Sequence, residues 1–153
     1  MTDRCADFSD TVKLCSMYRM LERRTELAEH RGIAMNLEPL NTVTDHPGNF
    51  LTATRMAAEM TRLIGSPMLK VLYDVYHMQL SEGSLCGDIR HYGDQFGHVR
   101  VADASGRHEP DTGEIRYAAV YAALDEIGCQ GLVGCELFPE STIAEAVRAI
   151  MRD

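Results

Sequence analysis

At 153 residues, with 45% hydrophobic and 25% charged residues, the chain has the size and composition of one soluble globular domain spanning 1–153. Lys+Arg total 15 against 23 Asp+Glu, a net charge of −8, which argues against nucleic acid or an anionic membrane, since both reward basic patches. No apolar run approaches the ~20 residues of a membrane span, and Met1–Asp7 lacks the apolar segment of a leader. Five cysteines without C-x-x-C spacing read as reduced thiols, so a cytoplasmic protein is expected.

In chain order, Leu14, Tyr18, Leu21, Thr25 and Ala28 recur at spacings of three and four, predicting a helix over 8–30 with Ser9 as cap and Gly32 as stop. A strand over 33–38 follows, then a polar loop from Asn41 to Gly48. A second helix over 50–64 carries Met56, Met60 and Leu63 on one face and ends at Gly65. Strand 68–74 comes next, then a loop through Gly83. Leu85, Ile89, Tyr92 and Phe96 mark a short helix interrupted by Gly87 and Gly93. Strand 97–102 leads into a long loop, Asp103 to Glu114, and Tyr117, Val120, Leu124 and Ile127 mark a fourth helix. Strand 131–136 and a helix over 142–151, opened by the capping box Thr142-x-x-Glu145, finish the chain.

Strand-then-helix units imply a parallel sheet. Side-chain parity refines this. Val71 and Tyr73 oppose Lys70 and Asp74, and Val99 and Val101 oppose His98 and Arg100. One apolar face, fit to lie under helices, and one mixed face suit a barrel wall better than a sheet covered on both sides. A (β/α)8 barrel needs eight such units in ~250 residues. Four are present, so the expected fold is α/β: half of a (β/α)8 TIM barrel, four parallel strands with helices on the outer face.

Three of the strands end in a carboxylate: Glu38, Asp74 and Glu136. In parallel α/β folds ligands bind at the carboxyl-end rim. Three acids converging there repel one another unless a cation sits among them, which makes this a candidate metal site. The bland alternative, ordinary polar residues at strand ends, fits any one of them but is strained by three in phase. By strand parity Cys135 faces away from Glu136 and is expected to be packed. The nine methionines read as core filler.

Leu37-Glu38-Pro39-Leu40-Asn41, Tyr73-Asp74-Val75-Tyr76-His77, Gly97-His98-Val99 with Ala102-Asp103, Gly106-Arg107-His108-Glu109-Pro110 and Gly134-Cys135-Glu136 closely resemble the hydroxypyruvate isomerase family. That family lies in the xylose-isomerase-like TIM-barrel superfamily with the ketose 3-epimerases, and the resemblance covers the carboxyl-terminal half of its barrel. It implies one divalent metal, Mg2+ or Mn2+, with Glu38, Asp74 and Glu136 as ligands. It implies Glu38 and Glu136 as the acid/base pair of an aldose–ketose-type isomerase acting through an enediol. His77 and Arg107 match substrate-binding positions, Arg107 suiting a substrate carboxylate.

The substrate so implied is a small hydroxy-oxo acid, hydroxypyruvate converted to tartronate semialdehyde. A ketose 3-epimerase keeps the same residues. The fourth metal position, Gln or His in the family, is Arg100, whose guanidinium has no lone pair to give a cation. Arg100 either stands beside a three-ligand metal or replaces it as a built-in counter-ion. With half a barrel, both sheet edges are open. The expected partners are a second copy of the chain or a complementary amino-terminal half, and the competing function is a weak or inactive half-barrel subunit.

Overall fold

The structure, a computed structural model, describes residues 8–151; Met1–Asp7, with Cys5, lies outside the described residues. The first helix, α1 (Asp10–Arg31), starts where the Ser9 hydroxyl accepts from Val12 N and stops at Gly32 in the left-handed region (φ 63°). The strands are β1 (Met35–Leu37), β2 (Leu69–Asp74), β3 (Phe96–Val101) and β4 (Leu132–Cys135). They form one parallel sheet in the order β1-β2-β3-β4. Between them run α2 (Thr54–Ile64), α3 (Val75–Ser81), α4 (Leu85–Tyr92), and α5 (Tyr117–Glu126); α6 (Ile143–Ile150) ends the described chain. None of these helices is long and apolar enough to cross a membrane.

The parity of β2 and β3 is as expected. Val71, Tyr73, Val99 and Val101 are buried in one cluster with Ala57, Ile89, Val120 and Ala123 from the helices. Lys70, His98 and Arg100, on the opposite face, are only half-buried. The sheet is close-knit at Gly97, where a Cβ would lie 2.6 Å from both Asn36 Oδ1 and Lys70 Cβ.

Several expectations change. Residues 75–81 are helical, not loop: Asp74 caps them by accepting from His77 N, and Val75, Tyr76, His77 and Met78 are all buried. A helix this short and this buried shows no amphipathic period. The second helix begins at Thr54 rather than residue 50, where Thr54 N and Oγ1 both donate to Glu82 Oε2 at 2.9 and 2.6 Å. Gly87 lies inside α4 instead of breaking it. The final strand departs from the expected packing of Cys135: that residue is exposed, and Leu132 is 77% accessible. β4 pairs with β3 on one side only, and its Leu132 and Val133 side chains stay exposed.

Candidate active site

Each rim carboxylate is delivered by a strand end. Asp74 is the last residue of β2 and the cap of α3, and its register partner across β3 is Arg100. Glu38 follows β1 directly and Glu136 follows β4. The adjacent strands therefore bring the three acids to one rim. An oxygen of Glu38, an oxygen of Asp74 and a ring nitrogen of His77 lie within 4.8 Å of one another, a group that could hold a metal ion.

Glu136 stands outside that group, engaged by two arginines. Arg100 Nη1 bridges it to Glu38, at 3.2 Å from Glu136 Oε2 and 3.3 Å from Glu38 Oε1. Arg107 Nη2 donates to Glu136 Oε2 and lies 3.4 Å from Asp74 Oδ2. The guanidinium of Arg107 also stacks over the Tyr76 ring, 5.0 Å from its centre. Arg100 does not pair with Asp103, whose Oδ1 instead accepts from Ile115 N.

The loop carrying Arg107 is stitched to the segment after β4. Arg107 Nε donates to Glu136 O at 3.2 Å, Phe138 N to Arg107 O at 2.8 Å, and Glu140 N to Glu109 Oε2 at 3.2 Å. Arg107 itself adopts a left-handed backbone (φ 58°) immediately after Gly106 (φ 90°), which turns its side chain back over the rim.

The electrostatics follow from burial. Asp74 is 1% exposed; loss of water, helped by the neighbouring Glu38 and Glu136, pushes its carboxyl up to about 6 against the pull of His77 N–H and Arg107. Burial raises Glu38 as well, with Arg100 opposing. Desolvation, with Arg107 nearby, pushes His77 down to about 4, so its imidazole is neutral at pH 7. Carboxylate oxygens crowded in this way fit a hard divalent cation such as Mg2+ or Mn2+. Arg100 occupies one side of the group and cannot ligate.

One site residue escapes the sequence reading. Asn41 was legible only as part of a motif, yet it is fully buried and contacts His77 through both its side chain and its backbone N–H. The signal available was Asn followed by Thr44 and Asp45, an Asx-turn pattern.

The sequence profile of the family described as "Xylose isomerase-like TIM barrel" matches residues 9–153. The hydroxypyruvate isomerase of Escherichia coli (strain K12) is 34% identical over 143 residues, which are 94% of this chain and 55% of that protein. The 2-oxo-tetronate isomerase of Cupriavidus necator is 34% identical over 114 residues, 74% of this chain and 44% of that protein. Among solved structures, AP endonuclease, family 2 from Brucella melitensis superposes with a TM-score of 0.87 at 29% identity, covering 96% of this chain and 57% of that one. The chain thus spans about half the length of the curated relatives it matches, in keeping with four parallel strands of an eight-stranded barrel. On its profile match, its sheet and its relatives, the chain belongs to the xylose isomerase-like TIM barrel family.

Proposed function

We propose that this chain carries the proton-transfer rim of a metal-dependent isomerase that interconverts hydroxypyruvate and tartronate semialdehyde in the cytoplasm. The observation that carries the reading is that two glutamates from opposite sheet edges, Glu38 and Glu136, meet across a single Arg100 nitrogen, with buried Asp74 beside them. In the forward direction one glutamate removes a proton from the hydroxymethyl carbon, giving the enediolate. The hydroxyl proton passes to the former carbonyl oxygen, a proton is returned to the adjacent carbon, and the hydroxyl and carbonyl have exchanged places. Burial raises the Glu38 carboxyl toward neutrality, which improves its match to such a transfer.

Glu38 and Asp74, with Glu136, would hold Mg2+ or Mn2+, which when bound supplies positive charge to the reacting oxygens. Arg107 has the fork geometry to take the substrate carboxylate with two parallel hydrogen bonds, exchanging its contacts to Asp74 and Glu136 for it. His77 adds a polar contact beside the same carboxylates. The free thiols of Cys15, Cys86, Cys129 and Cys135 are consistent with a reducing compartment.

The protein named AP endonuclease shares the fold, but a net charge of −8 and an acidic rim disfavour a polyanion here. A second reading has one observation in its favour: Arg100 already pairs with both glutamates, as a built-in counter-ion would. The chain would then be a subunit of low activity, working with a complementary amino-terminal half or a second copy along the open edges of β1 and β4. A single domain over 1–153 is common to both readings.

The deciding experiment incubates the protein with hydroxypyruvate and Mn2+ in D2O. Product formation with solvent deuterium on carbon, reduced by about 10³-fold or more in Glu38→Gln and in Glu136→Gln, supports the isomerase. Full folding with neither Mn2+ binding in calorimetry nor deuterium incorporation removes that reading in favour of the subunit.

A further inference from the structure

Asn41 commits every polar atom of its side chain. Oδ1 accepts from the backbone N–H groups of Val43, Thr44 and Asp45 at 3.1, 3.0 and 3.3 Å. Three backbone donors can converge only on an oxygen, so the two ends of this amide are not interchangeable. Its Nδ2 must point the other way, where it donates to Asp45 Oδ2 at 3.1 Å and lies 2.7 Å from His77 Nδ1. Asp45 is a firm acceptor, for Tyr76 Oη and Thr44 Oγ1 also donate to the same oxygen at 2.9 and 3.0 Å. The Asn41 backbone N–H approaches His77 Nδ1 as well, at 3.4 Å.

An amide nitrogen has hydrogens to give and no lone pair to offer, so Nδ1 accepts. A neutral imidazole whose Nδ1 accepts carries its single proton on Nε2. We infer that Asn41 is a positioning residue that fixes His77 as the Nε2–H tautomer, making His77 a hydrogen-bond donor to substrate oxygen and not a metal ligand. Both ring lone pairs are then taken, one by the Asn41 amide and one by the proton. Of the three groups that stand within 4.8 Å of one another, only Glu38 and Asp74 remain able to ligate. A donor beside them suits the oxygen that gains negative charge as an enediol forms. This last role rests on the isomerase reading; the tautomer does not.

Asn41→Asp isolates the effect, because an aspartate keeps the oxygen that Val43, Thr44 and Asp45 need while replacing the amide donor by an acceptor. The test is nitrogen NMR of the histidine rings in the full chain at pH 7.5, with His77→Gln assigning the signals by their loss. The expected result is a proton on Nε2 and a bare Nδ1 for His77 in the wild type, and a protonated Nδ1 in Asn41→Asp. In the hydroxypyruvate assay the same variant should lose at least tenfold in kcat, with KM changed less than threefold. A wild-type His77 protonated on Nδ1 overturns the inference whatever the activity of Asn41→Asp. A shifted proton with unchanged kcat overturns the donor role. The expected tautomer in a protein without turnover supports the positioning by Asn41 and counts against the isomerase reading alone.

Discussion

The centre and the edges of this sheet are built from similar residues to opposite ends. Leu69 on β2 is 1% exposed, packed on Leu21 and Met60, whereas Leu132 on β4 is 77% exposed. Val71 and Val99 in the middle are inaccessible, while Val133 at the edge and Phe138, Ile143 and Val147 beyond it lie open. The central strands are completed by helices of the same chain. The edge residues have apolar side chains that the described residues leave uncovered. The rim joins the two zones, since Arg100 on central β3 holds Glu38 and Glu136 from the two outermost strands.

The largest effect that would sharpen this contrast is a truncation at the centre. Leu69→Ala should destabilise the chain by about 2–5 kcal/mol in denaturant unfolding. A cost below about 1 kcal/mol would show that the core is looser than its burial suggests. Next comes the link between zones. Arg100→Gln removes a cation and supplies a neutral oxygen, and should raise Mn2+ affinity at least tenfold in calorimetry, about 1.4 kcal/mol. Unchanged affinity would put Arg100 away from the bound ion.

A third measurement reads the buried rim through pH in metal-free protein. Asp74, raised to about 6 in the fold from 3.8, favours folding more as pH falls through the window between those values. His77, lowered to about 4 from 6.5, does the reverse and loses stability as pH falls across nearly the same span. The two oppose each other, so their joint contribution to the slope is small. Asp74→Asn, which can keep the helix cap, should leave the histidine unopposed. Its unfolding free energy should decline more steeply than that of the wild type from pH 6.5 to 4. Parallel slopes would mean that the two groups are not desolvated together. Smallest of all, Leu132→Ala should change the stability of the isolated chain by no more than about 0.5 kcal/mol. The same substitution should weaken any self-association seen in sedimentation, and a large loss of monomer stability would break the centre–edge contrast.

The sequence carried the alternation of β2 and β3 and the carboxylates at strand ends because both are local patterns of period two. The caps at Ser9, Gly32 and Thr142 were legible because a cap is set within three or four neighbouring residues. α3 was not, since a seven-residue helix buried nearly all round has no polar face to announce it. The exposure of β4 was hidden because an apolar run states an appetite for burial without saying which chain satisfies it. The pairing of Asn41 with His77 spans 36 positions and becomes visible only when the loop after β1 and the short helix α3 are brought over the same rim.

The stitching of the Arg107 loop to the segment after β4 carries a mechanical consequence. Five hydrogen bonds between Arg107, His108 and Glu109 on one side and Glu136, Phe138 and Glu140 on the other tie the two segments into one plate. Pressure applied to the outer flank of the sheet, as when another molecule settles against β4, would tilt that plate and carry the guanidinium across the carboxylates with it.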